Sequence, residues 1–181
     1  MEIQETPLKD CFIIKPSVFS DTRGIFFESF HEKHFKEATG IEAPFVQDNT
    51  SHSTKGVVRG LHFQTGEMAQ AKLVRVAQGR VLDVVVDLRK ESPSFGKKYS
   101  VVLDDVEHWQ LYVPRGFAHG FVTLSNNSIF CYKCDNYYHK ESESGIIYND
   151  ATLAIDWHLP EEEFIVSEKD LQLPTFEEVT Q

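Results

Sequence analysis

Short runs of Val, Ile, Leu, Phe and Tyr recur along the chain, separated by clusters of Gly, Pro, Ser and Asp. That rhythm predicts strands joined by turns. The strands fall at residues 11–15, 25–30, 45–53, 57–63, 71–77, 81–88, 99–103, 109–113, 120–124 and 128–136. So many strands in 181 residues predict an all-β barrel or sandwich. One helix is predicted over residues 32–39, where Phe35 and Ala38 give a short apolar face and Gly40 ends it. A further helical turn is predicted around residues 167–171. No repeat, low-complexity block or linker divides the chain, so residues 1–181 are expected to form a single domain. The acidic run Glu161-Glu162-Glu163 reads as a solvated surface turn.

Alternation along the strands places several charged residues on apolar faces. Lys72 shares a face with Val74 and Val76, and Asp83 shares one with Val81 and Val85. The lysine either lays its stem along an exposed sheet or aims its charge into a barrel interior to meet an anion. An unpaired Asp83 carboxylate is costly to bury, so a partner is expected. His62 in Gly60-Leu61-His62-Phe63-Gln64 and His119 in Phe117-Ala118-His119-Gly120 read, from their strands alone, as satisfied core histidines before they read as site residues.

Charge narrows the function. Lys and Arg number 18 against 28 Asp and Glu, a formal net charge of -10. The field of such a protein repels nucleic acid, and any anionic ligand needs a local basic pocket. No stretch approaches the ~20 apolar residues of a membrane span, and the first ten residues carry Glu2, Glu5, Lys9 and Asp10 rather than the apolar core of a signal peptide. Cys11, Cys131 and Cys134 form no disulfide framework, which fits a reducing compartment and predicts a cytoplasmic protein without membrane or nucleic-acid partners. Cys131 and Cys134 spell C-x-x-C, but residues three apart in a strand point to opposite faces, so they read as two unrelated thiols. A metal-binding barrel of the cupin type asks for H-x-H, a following Glu and a later His in P-x-G-x-x-H. The later half is present at Pro114 to His119, but Gln64 stands where the second histidine belongs, so no metal is expected at that position.

The run Phe45-Val46-Gln47-Asp48-Asn49-Thr50-Ser51, followed by Gly56-Val57-Val58-Arg59-Gly60-Leu61-His62-Phe63-Gln64, resembles the signature of the dTDP-4-dehydrorhamnose 3,5-epimerase family. Further matches come in order: Ala71-Lys72-Leu73-Val74-Arg75, Asp83-Val84-Val85-Val86-Asp87-Leu88-Arg89, Ser92-Pro93-Ser94-Phe95-Gly96, Pro114-Arg115-Gly116-Phe117-Ala118-His119-Gly120-Phe121, Cys131-Tyr132-Lys133-Cys134 and Ser167-Glu168-Lys169-Asp170. His158 after Trp157, and Thr152 after Asp150-Ala151, depart from prolines common in the family and put only local loop shape in question.

The resemblance implies a double-stranded β-helix, or jelly roll, with a few short helices, and a cofactor-free isomerase of dTDP-rhamnose and polysaccharide biosynthesis. Its substrate is dTDP-4-keto-6-deoxy-D-glucose, whose ketone acidifies the C–H bonds at carbons 3 and 5. Such an enzyme needs a base, an acid across the ring and a group to stabilise the enolate. By resemblance His62 is the base, a role that suits imidazole, and Asp170 is the carboxylate that orients it. Tyr132 is the acid, a phenol being protonated at rest, and Lys72 stabilises the charge on the carbon 4 oxygen. Substrate contacts carry over to Arg23, Glu28, Gln47, Asn49, Arg59, His119, Glu143 and Lys169, with Tyr137 or Tyr138 against the nucleotide and Asp83 supporting Lys72 or His119. The resemblance further implies a homodimer that exchanges N-terminal strands, with residues 23–28 reaching the partner's site. A single-site 3- or 5-epimerase, or a 3,4-ketoisomerase, could use the same base and acid; a non-catalytic sugar-nucleotide binding module is the reading outside enzymes.

Overall fold

A computed structural model describes residues 1–42 and 44–181 and contains two facing antiparallel sheets. The first is ordered β1 (Glu2–Glu5), β2 (Phe12–Lys15), β10 (Gln110–Val113), β7 (Lys72–Gln78), β12 (Asn127–Cys134), β5 (Gln47–Thr54). The second is ordered β13 (Glu143–Gly145), β6 (Val57–Gln64), β11 (Phe117–Thr123), β8 (Arg80–Asp87), β9 (Lys98–Asp104), with β14 (Ile165–Val166) added in parallel to β6. A small separate sheet holds β3 (Val18–Asp21) and β4 (Gly24–Phe27). The sheets form the expected jelly roll.

Three apolar layers follow from the period-two alternation of the strands. Between the sheets, Val74, Val76, Leu111, Val113 and Phe130 of one meet Val81, Val85, Leu103, Phe117 and Phe121 of the other. The back of the second sheet, with Val58, Leu82, Val84, Val86 and Val122, is covered by the C-terminal segment through Ile146, Tyr148, Leu153 and Trp157. The back of the first carries Ile14, Leu73 and Tyr112 under Phe35.

Phe35 belongs to α1 (Glu32–Thr39), the helix that the sequence predicts. His31 caps its start by accepting the His34 N–H, and Gly40 ends it at φ 71° with its N–H on the Lys36 carbonyl. The sequence reading missed β1, whose four residues are mostly polar and exposed, together with β3, β13 and the two-residue β14. It also missed α2 (Phe176–Thr180), closed by a capping box between Thr175 and Glu178. The turn expected at residues 167–171 is a 3₁₀ turn displaced to Asp170–Gln172. His158 adopts φ 60°, a value closed to the proline that is common there in the family, so the loop differs locally. Cys134 is buried and Cys131 half-buried on the other face of β12, both free, as two unrelated thiols.

Candidate active site

The late strand β14 runs beside β6, with Ile165 opposite Val57, and so carries Ser167 to Asp170 along the strand that holds His62. Asp170 is fixed from both sides. Its N–H donates to Ser167 Oγ at 3.1 Å, its Oδ1 lies 2.7 Å from His62 Nε2, and its Oδ2 accepts the Gly60 N–H at 3.2 Å. Glycine is required at position 60, where φ is 109° and a Cβ would lie 2.7 Å from the His119 carbonyl oxygen. Burial pushes the Asp170 carboxyl up, but the His62 hydrogen bond and charge, with the Gly60 and Ser167 bonds, outweigh it and hold the group below the usual carboxylate range. With Nε2 engaged, Nδ1 is the His62 nitrogen left to take a proton.

Tyr132 enters from the facing sheet, opposite Val74 and Asn49 in register. His62, Tyr132, Lys72, Arg59, His119, Lys169 and Asp170 all line one cavity of about 480 Å³, with Phe121 and Phe130 as apolar wall. Burial raises the Tyr132 phenol above its ordinary value, reinforced by Cys134 and opposed by Arg59, so it is protonated at neutral pH. Lys72 faces the interior with Val74 and Val76, which settles the alternative left open by its sequence. Its ammonium makes no hydrogen bond or ion pair among the described residues. Burial lowers its pKa, with Cys134, Asp83 and Glu143 acting in the opposite direction.

A second histidine–carboxylate pair adjoins the first. His119 stands opposite His62 in the β11–β6 register, and its Nε2 lies 2.9 and 3.1 Å from the two oxygens of Asp83, which is fully buried. This is the partner that the Asp83 carboxylate required. Each cavity histidine is thus committed to a carboxylate at one nitrogen.

Among the remaining candidates, Arg59 donates to Ser53 Oγ at 3.2 Å. Lys169 reaches Glu143 at 2.7 Å, and Tyr138 donates to the same carboxylate at 2.9 Å. Burial works to raise Glu143, but these two bonds hold it below its ordinary value. Gln47 donates to Asn49 at 3.0 Å and accepts the Tyr138 N–H at 3.0 Å, while Asn49 donates to Cys134 Sγ at 3.7 Å. Gln47 and Asn49 sit together on β5 and do not line the cavity of His62 and Tyr132. Arg23 and Glu28 lie away from it too, Arg23 paired with Asp21 at 3.0 Å and Glu28 with His34 at 3.0 Å.

Sequence reasoning missed Ser51, whose buried Oγ lines the cavity without a hydrogen-bond partner among the described residues. Only its inward position on β5, two residues from Asn49 and Ser53, could have pointed to it.

A model of the family described as dTDP-4-dehydrorhamnose 3,5-epimerase matches residues 5–178. The chain is 49% identical over 181 residues to the dTDP-4-dehydrorhamnose 3,5-epimerase of Salmonella typhimurium, covering 98% of this chain and 97% of that one. The crystal structure of dTDP-4-dehydrorhamnose 3,5-epimerase from Elizabethkingia anophelis is similar at a TM-score of 0.96 and 55% identity, covering 100% and 99% of the two chains. A dTDP-6-deoxy-D-glucose-3,5-epimerase from Legionella pneumophila, solved in complex with dTDP-4-keto-L-rhamnose, is similar at a TM-score of 0.92 and 47% identity, covering 96% and 92%.

Proposed function

The chain belongs to the dTDP-4-dehydrorhamnose 3,5-epimerase family, so it is an isomerase that inverts carbons 3 and 5 of dTDP-4-keto-6-deoxy-D-glucose, and we propose that His62 and Tyr132 carry its proton transfers. The observation that supports this assignment is a His62–Asp170 pair at 2.7 Å in a cavity whose opposite sheet supplies Tyr132. His62 Nδ1 removes the proton beside the ketone, and the electron pair of the C–H bond passes to the carbon 4 oxygen as an enolate. Asp170 stabilises the imidazolium that forms. The Lys72 ammonium, which has no competing partner among the described residues, meets the charge on that oxygen, a contribution of roughly 3 kcal/mol by analogy with one oxyanion donor. Tyr132 returns a proton from the other face, and both groups re-equilibrate with solvent before the second carbon is inverted. The substrate's ketone is the electron sink, so no step calls on a cofactor.

Arg59 and Lys169 give the cavity a local positive character within an acidic protein, suited to a diphosphate, with His119 beside them near the sugar and phosphate. Glu143, Gln47 and Asn49 complete the sugar and nucleotide contacts, and Ser51, whose buried Oγ has no hydrogen-bond partner among the described residues, stands in the wall of the cavity. Arg23 and Glu28 act from a second subunit in this reading. An isolated two-stranded hairpin is marginal in water, and β3–β4 exposes Phe19 at 64% and Phe26 at 71%. A homodimer that covers these rings brings residues 23–28 to the partner's cavity. Residues 1–181 act as one catalytic domain. Three free cysteines suit the reducing cytoplasm, where dTDP-rhamnose is made for polysaccharides, and among the described residues no helix is long and apolar enough to cross a membrane.

The test is incubation with dTDP-4-keto-6-deoxyglucose in heavy water, followed by NMR. Deuterium at carbons 3 and 5 with inversion is expected. Label at one carbon points to a single-site epimerase, migration of the ketone to carbon 3 points to an isomerase, and no label removes the proposal.

A further inference from the structure

At the foot of the β3–β4 hairpin, Glu28, His31 and His34 each bring a donor atom within 4.8 Å of the other two. The proton-transfer chemistry uses neither histidine. Their proximity follows from local geometry: His31 is the N-cap of α1 and His34 lies three residues on, one helical turn away. The two rings stack with centroids 3.8 Å apart and planes 15° apart. Glu28, three residues before the cap, places Oε1 3.0 Å from His34 Nδ1.

This arrangement is close to a coordination sphere. Zinc binds imidazole nitrogen and carboxylate oxygen at ~2.0–2.2 Å, so tetrahedral ligand atoms stand ~3.4 Å apart. The Glu28–His34 pair is already near that separation, and only His31 must turn. Its Nδ1 accepts the His34 N–H at 3.4 Å, a long hydrogen bond that is easily released. All three side chains are exposed in the single chain, so an ion enters from solvent, without loss of water to burial, whenever Glu28 is not engaged in a partner's cavity. The positive end of the helix dipole opposes a cation here, and Glu28 with Glu32 of the first turn offsets it. Two imidazoles and one carboxylate suit a borderline-soft ion such as zinc rather than magnesium or calcium, which prefer oxygen.

We propose that Glu28, His31 and His34 form a zinc-class surface site, and that its occupancy holds Glu28 against α1 and so withdraws it from the nucleotide sugar in the partner's cavity. The second half rests on the proposed reading of Glu28; the metal site does not. Zinc is then a reversible inhibitor that raises KM more than it lowers kcat.

Cobalt(II) titration of the full chain, read by visible absorption, tests the site. A saturable spectrum of tetrahedral type at one ion per chain is expected. His31→Asn and His34→Gln should each weaken it by at least the ~10–100-fold that even an outer partner of a metal ligand is worth. Asn is a good N-cap and Gln a good helix former, so both variants are expected to fold, which circular dichroism checks. No spectrum in the parent, or equal binding by the double variant, overturns the site. Zinc inhibition is then compared in parent and double variant, whose activity without zinc should match. Inhibition lost in the double variant supports the link to Glu28, and inhibition retained overturns that link alone. A parent without epimerase activity overturns the functional reading, while the cobalt titration still reports on the site.

Discussion

Replacing Asp170 by Asn tests the proposed base most directly, because the two carboxylate oxygens do different work. Oδ1 faces His62 Nε2 at 2.7 Å and Oδ2 accepts the Gly60 N–H at 3.2 Å. An amide has one acceptor oxygen and one donor nitrogen, so it cannot accept from both. If its oxygen takes the Gly60 N–H, its NH2 faces Nε2 and selects the ring tautomer that carries hydrogen on Nδ1, the nitrogen that must act as base. If its oxygen turns to Nε2, the charge opposite the nascent imidazolium is still lost. That charge is worth about 4 kcal/mol at ~4 Å and an effective dielectric of ~20, a suitable value because His62 is partly exposed. At ~1.4 kcal/mol per tenfold, kcat should fall by about 10³-fold, and further if the tautomer is reversed. Single-turnover deuterium exchange at carbons 3 and 5, followed by NMR, measures the loss. A kcat within tenfold of the parent refutes the assignment of His62 and Asp170. The same variant has a stability signature. A carboxyl whose folded-state pKa is depressed adds stability above its unfolded pKa of ~3.9, and that stability is lost as pH falls through the folded-state value. Urea unfolding of the Asn variant should therefore depend less steeply on pH in the acid range than that of the parent.

Three other outcomes follow from the same geometry. Tyr132→Phe should leave exchange of substrate C–H with heavy water, because His62 can return a proton to the face it came from, while inversion is lost; NMR that finds inverted product at the parent's rate removes Tyr132 as the acid. Lys72→Met should lower kcat by about 10²–10³-fold and yet raise Tm, since it removes a half-buried ammonium that has no partner among the described residues; a fall in both, by assay and calorimetry, would mean that the lysine is a structural element. Phe26→Asp on the exposed face of β4 should convert a dimer to a monomer in light scattering and abolish activity with it; a monomeric parent at micromolar concentration would remove the exchanged-hairpin inference.

The strands that bury a face were legible in the sequence, because period-two alternation of Val, Leu and Phe records which side meets the core. Strands such as β1 and β13, held by pairing with neighbours more than by apolar burial, were not. The residues of the cavity were nominated by motif, but local sequence could not choose between core and site for His62 and His119, nor between surface and interior for Lys72. That choice was made by long-range pairing. Alternation fixes only a face, and it took the closure of two sheets to make the face of Lys72 and Tyr132 the inside of one cavity. It took the parallel docking of β14 on β6 to bring Asp170, 108 residues distant, within 2.7 Å of His62. Hydrophobic pattern is a local property that the chain carries with it, whereas a hydrogen bond between distant residues exists only after loop closure, so the pattern of residues specifies the strands that bury a face and the chemical repertoire, while long-range pairing selects which groups meet and supplies the strands that carry no such pattern.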